Sequence, residues 1–130
     1  MYLFTCCANE SDNGHAWQLV DIRQYATQID SGNVAAYFGG KMRDWNGSDI
    51  AEIAIEFINA QGSVIATSER LTNQSATWTK ISRLAAVPSG SREIRFNLYG
   101  TRKNGTYNDS YFDDLTLKLE QASECPTIEG

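Results

Sequence analysis

Residues 50–70, IAEIAIEFINAQGSVIATSER, decide how this chain folds. Successive side chains on a strand point to opposite faces, so Ile53, Ile55 and Phe57 share one face and Glu52 and Glu56 the other. The segment NAQGS then supplies the reversal that joins two antiparallel strands. The stretch SREIRFNLYG repeats the pattern: Ile94, Phe96 and Leu98 point inward, while Arg95, Asn97 and Tyr99 point outward. The turn VPSGS comes just before it, with φ fixed at Pro88.

Working outward, apolar alternation with β-branched and aromatic residues recurs in short segments punctuated by Gly, Asn, Asp, Ser and Pro. Strands are predicted at residues 2–7, 16–21, 33–42, 50–59, 63–69, 76–84, 92–100 and 111–120. The fold class is all-β, an antiparallel β-sandwich of about eight strands. Only DIRQYATQIDSG carries a helical spacing, through Ile22, Tyr25 and Ile29, with Gly32 able to stop the turn. No repeat, linker or low-complexity tract divides the chain, so residues 1–130 read as one domain.

Composition narrows the function. At 130 residues the chain can bury a core without help from a disulfide or a metal. A net charge of -5 disfavours nucleic acid, because grip on phosphate depends on Lys and Arg displacing counterions. No apolar stretch approaches the roughly 20 residues of a membrane helix. The opening MYLFTCCANESD lacks the basic and apolar regions of a signal peptide. As written the chain reads as cytoplasmic, and as extracellular if a leader stood ahead of it. Cys6, Cys7 and Cys125 form no zinc pattern; free thiols are favoured over a bridge from Cys6 or Cys7 to Cys125.

Five segments taken in order, AWQLVDI, QIDSGNVAAYFGG, IAEIAIEFINAQGSVIATS, ATWTKISRLAAVPSGSREIRFNLYGTRKNG and NDSYFDDLTLKL, resemble the galactose-binding-like jelly-roll domains. That group includes carbohydrate-binding modules and sugar-recognising F-box-associated domains. The likeness spans residues 16–120, and its most specific parts are the Trp78 strand followed by VPSGSREIRFNL and the closing SYFDDLTL. One family feature is missing: nothing before MYLFTCC matches the usual opening strand with its Asn-Gly-x-Phe-Glu type stretch.

The closing strand raises a separate question. Period-two counting puts Tyr111, Asp113, Leu115, Leu117 and Leu119 on one face and Phe112, Asp114, Thr116 and Lys118 on the other. Asp113 is therefore expected to face the core, where an ionised carboxylate is costly unless it is paired, hydrogen-bonded or bound to a cation. Calcium, which takes six to eight oxygen ligands, is the natural candidate at Asp113 and Asp114, and the resemblance implies a structural calcium there. The competing reading is a loop cap at Asp113 and an Asp114 that is solvated or paired with Lys118 or an arginine.

For a saccharide, an aromatic wall with convergent polar groups is required. Trp45 in RDWNGSD, the loop residues Arg102, Asn104, Tyr107 and Asn108, and Trp17 at a strand end are the candidates, while Tyr37 and Tyr99 on sheet faces support a groove across a sheet instead. The resemblance implies that Trp78 is a core or sheet-packing residue. Asn46, Asn73, Asn104 and Asn108 begin Asn-x-Ser/Thr triplets, which matter only to an exported eukaryotic chain. No catalytic residues are assigned: neighbouring carboxylates on a strand diverge, and His15 has no evident nucleophile beside it. The expected function is a non-catalytic carbohydrate-binding module with a structural calcium, and the alternative is an assembly module that forms a homodimer.

Overall fold

The computed structural model describes residues 3–6, 13–44, 50–73, 77–101 and 110–121. Its strands are β1 Leu3–Cys6, β2 Asn13–Asp21, β3 Val34–Asp44, β4 Ile50–Asn59, β5 Val64–Thr67, β6 Leu71–Asn73, β7 Thr79–Ala86, β8 Ser91–Thr101 and β9 Ser110–Gln121. A 3-10 turn, Arg23–Tyr25, runs into a single short helix, α1, Ala26–Asp30. Two antiparallel sheets stack face to face. One has the order β1-β9-β3-β7; the other has β2-β8-β4-β5, with β6 also on β4.

The alternation read from the sequence is what makes two layers possible. Ile53, Ile55 and Phe57 on β4 and Ile94, Phe96 and Leu98 on β8 turn inward and meet Ala36, Phe38 and Met42 of β3 and Phe112 of β9. Each inner face is apolar and would be costly to expose, so stacking the sheets removes both from water together. Asn73 adds a polar tie across the layers: it is buried, and its Nδ2 donates to the Met42 carbonyl at 3.1 Å. Its glycosylation triplet therefore sits on a residue already engaged inside the sandwich.

Two glycines on β3 mark where neighbouring strands of its own sheet crowd against it. A Cβ at Gly39 would run into the Ile81 carbonyl oxygen and come within 2.6 Å of Ser82 Cα, so β7 lies against bare backbone. A Cβ at Gly40 would sit 2.7 Å from Leu115 Cδ2, across from an irregularity in β9.

That irregularity corrects the expectation for the closing strand. Gly39 pairs with Thr116 and Lys41 with Asp113, so Asp114 and Leu115 together face Gly40 alone. This is a β-bulge, with Asp114 in the left-handed region at φ +54. Asp reaches that region more easily than most residues because its short polar side chain can bond locally. The extra residue inverts the alternation. Phe112 before the bulge and Leu117 and Leu119 after it face the core, and Asp113, paired with Lys41, does not point with the leucines.

The segment expected to make a helical turn does so, burying Ile22 and Ile29 but leaving Tyr25 exposed. Its C-terminal Asp30 holds the turn before β8: the carboxylate accepts from Gly90 N at 2.8 Å and from Arg92 Nη2 at 2.7 Å. Arg92 first, and then the Gly90 amide, hold the Asp30 carboxyl below its usual range. A folded-state value below the unfolded one stabilises at neutral pH, and that stabilisation is lost as pH falls through the lowered value, below about 3.9. Asp30→Asn is expected to lower the thermal midpoint at about pH 7 and to converge with the unmodified chain near about pH 2. A gap of equal size at both pH values, read by circular dichroism melts, would overturn this account.

Candidate binding face on the five-stranded sheet

β8 lies between β2 and β4, and the register sets their outward residues in rows. Tyr99 sits between His15 and Glu52, Asn97 between Trp17 and Ala54, and Arg95 between Leu19 and Glu56. Residues far apart in sequence thus come together because three strands share one register.

The rows are knitted by hydrogen bonds. Asn97 is fully buried although it points away from the core, because its neighbours on the face cover it. Its Nδ2 donates to Glu56 Oε1 at 3.1 Å, and its Oδ1 lies 2.7 Å from His15 Nε2. With the amide nitrogen committed to the carboxylate, Oδ1 is the acceptor and His15 carries its proton on Nε2. Arg95 Nη1 donates to the same Glu56 oxygen at 3.0 Å. One row away, Arg70 Nη1 and Thr72 Oγ1 donate to the two oxygens of Glu52 at 3.1 and 3.0 Å.

Aromatic rings complete the surface. The His15 ring stacks on Tyr99 at 4.7 Å and 9°, and the Arg70 guanidinium carbon lies 3.8 Å from the centroid of the same ring. Trp17 is 56% exposed, with the Arg95 guanidinium carbon 5.4 Å from its ring. The arrangement offers a flat apolar ring beside carboxylate, amide and guanidinium groups whose positions are already fixed.

Of the sequence candidates, Trp17 is on this face. Trp45, Arg102, Asn104, Tyr107 and Asn108 lie outside the described residues, as do Cys7 and Cys125. β4 and β8, which each flank one of those loops on one side, come together at one edge of the face: Thr101 pairs with both Asn13 and Ile50, next to the His15–Tyr99–Glu52 row. His15, Asn97, Glu52, Glu56, Arg70 and Arg95 were not singled out as binding residues. The signal for Glu52, Glu56, Arg95 and Asn97 is the polar outward alternation of β4 and β8, whereas no local pattern marks His15 or Arg70.

Asp113 and Asp114 belong to the other sheet. Asp113 Oδ1 accepts from Asp114 N at 2.8 Å, and Asp114 Oδ2 lies 3.9 Å from Lys41 Nζ. Both carboxylates are half-buried, and among the described residues no three His, Cys, Asp or Glu side chains converge on a metal position. Of the two readings for Trp78 the core one is corrected: it is 38% exposed ahead of β7, with the Arg43 guanidinium carbon 5.8 Å from its ring.

The fold is a jelly-roll β-sandwich. No protein-family model matches the sequence, and no curated protein does. Solved structures match in shape. Tailspike protein 4 of bacteriophage CBA120, in its enzymatically active domain, aligns at TM-score 0.61 and 13% identity, over 88% of this chain and 15% of that one. Infectious bursal disease virus, Gx strain, aligns at 0.60 and 13%, over 91% and 29%. A family 16 carbohydrate-binding module aligns at 0.54 and 17%, over 85% and 72%. This chain therefore spans less than a third of the first two. At such identities the likeness shows the fold alone.

Replacing Asn97 with Ala removes the bridge between His15 and Glu56 and leaves buried groups without partners. The expected cost is about 1–3 kcal/mol in urea denaturation. A change within about 0.5 kcal/mol, the usual range for an exposed position, would mean that the network contributes nothing to stability.

Proposed function

We propose that the chain is a non-catalytic carbohydrate-binding β-sandwich of the galactose-binding-like kind, which takes a saccharide on the outer face of its five-stranded sheet. The observation that carries this is Trp17, a large ring held half in water beside the network that joins buried Asn97 to the half-buried Glu56 and Arg95. Such a ring suits the C–H face of a pyranose, and fixed polar neighbours suit its hydroxyls. The carbohydrate-binding modules among the shape neighbours support the reading. The charges on the face balance in pairs, Arg70 with Glu52 and Arg95 with Glu56, which favours an uncharged sugar.

Catalysis is disfavoured by the same geometry. Glu52 and Glu56 are four residues apart on one strand, about 13 Å at ~3.4 Å per residue, beyond the span that glycoside hydrolysis uses. Each is also held by an arginine. A glycan array followed by calorimetry tests the reading. A neutral oligosaccharide is expected to bind, and Trp17→Ala is expected to weaken it by at least about tenfold, since a ring contact of this kind is worth on the order of 1.4 kcal/mol. The melting temperature should hardly move. Silence across a broad neutral panel would remove the proposal.

A calcium ion at Asp113 and Asp114 is a separate part of the proposal. The reason the sequence offered, a carboxylate aimed at the core, no longer applies; a pair of half-buried carboxylates at the bulge is what supports it now. Chelation is expected to lower the thermal midpoint and added calcium to restore it, by mass action on the folded state. A midpoint indifferent to both removes the ion and leaves the saccharide reading standing.

The second reading is an assembly module. It is favoured by Leu84, 60% exposed on the edge strand β7, and by the likeness to proteins of virus particles. It expects a dimer in light scattering, with an interface above about 1,000 Å². A strict monomer at high concentration counts against it.

A further inference from the structure

β9 is paired along nearly its whole length on one side, from Asp44↔Ser110 to Val34↔Gln121 with β3. On the other side β1 covers only Ser110–Asp113. Among the described residues nothing pairs with 114–121 on that side, which leaves about 27 Å of strand edge at ~3.4 Å per residue. The sandwich is open at the same place. A cleft of about 670 Å³ lies beside this edge, with Val20, Ile22, Tyr25, Val34, Leu117 and Leu119 in its wall.

The cleft wall is core material left partly uncovered. Val20, Leu117 and Leu119 pack on the core but are only half-buried, and Leu117 and Leu119 alternate along β9 at the spacing with which a neighbouring strand would lay down its own side chains. At this mouth Asp21, Glu93 and Glu120 outnumber Lys118 and Arg23, the latter lying 3.4 Å from Asp21 and 3.6 Å from Glu93, on a chain of net charge -5. The line of approach is also set. β1 runs antiparallel to β9 with Leu3 opposite Asp113, so a strand entering in the line of β1 passes along 114–121 in the same sense.

We propose that the edge of β9 from 114 to 121 is a strand-addition site for an extended segment of another protein, apolar on one face and bearing lysine on the other. Main-chain hydrogen bonds to the edge supply the grip. Side chains on alternate residues fill the cleft over Val20, Leu117 and Leu119, which supplies selectivity. The bulge at Asp114 separates this site from the β1 pairing, since a bulge breaks the ladder locally and turns the strand. The site is on a different face from Trp17 and is independent of the saccharide reading.

The test uses the whole chain and a synthetic peptide, acetyl-Lys-Val-Thr-Val-Thr-Val-Lys-amide, as the probe, with amide hydrogen exchange followed residue by residue. In the free protein the edge-facing amides of 114–121 are expected to exchange fast, and saturating peptide should slow them by at least about tenfold. The same peptide N-methylated on alternate residues has lost its donors and is expected to do nothing. Glu120→Lys, an exposed change, is expected to weaken the probe severalfold without lowering the melting temperature. The proposal is overturned if those amides are already protected without peptide, which would mean that the chain's own residues cover the edge. It is equally overturned if saturating probe protects none of them, or if the N-methylated peptide protects as well as its parent.

Discussion

A chain whose strands each carry one apolar face has few ways to hide them, and here the two sheets hide them against each other. Phe38 and Met42 of β3 and Phe112 of β9 press on Ile53, Ile55 and Phe57 of β4, and every outward position is fixed once those residues are inside. The candidate binding face is a by-product of that burial. Glu52, Glu56, Arg95, Asn97 and Tyr99 share a surface because their neighbours in sequence are needed in the core. Their polar network then assembles wherever the register sets them side by side.

Much of the sandwich was legible because alternation is a local property. The hairpin at residues 50–70, the inward set on β8 and the helical turn at Ile22 and Ile29 were all readable from side-chain type and spacing. Where β5 ends and β6 begins was not, since a single predicted strand at 63–69 stands where the chain breaks its pairing and resumes it at Leu71. The reading failed at Asp113. Counting by twos assumes an unbroken ladder, and the bulge at the left-handed Asp114 leaves Leu117 and Leu119 facing the core after it, while before it Phe112 rather than Asp113 does so. The core reading of Trp78 failed for a different reason: strand-like sequence does not say which end of the strand stays wet.

The candidate site was less legible than the fold, for a reason of distance. Trp17 could be picked out as a ring next to a polar loop, although it lies in the middle of β2 and not at a strand end, but His15 meets Asn97 only through the pairing of β2 with β8. No local pattern encodes that pairing. Likewise Arg70, an unremarked residue after the hairpin, reaches Glu52 and Tyr99 because the chain doubles back along β4. The shape neighbours, which include sugar-binding modules and virus particles, fit such a division: the layered core recurs, while what the outer surfaces carry is free to differ.

The crowding around Tyr99 bears on how much of a long polysaccharide this surface could hold at once. His15 stacks on the phenol ring and the Arg70 guanidinium also lies over it, so its π-surface is already engaged, and Trp17 stands as the exposed aromatic platform among the described residues of this face. A single platform seats one pyranose unit. A polymer lying across the sheet would be anchored at that unit and trail away from it over hydrophilic ground, so affinity would level off after the first few units of chain length.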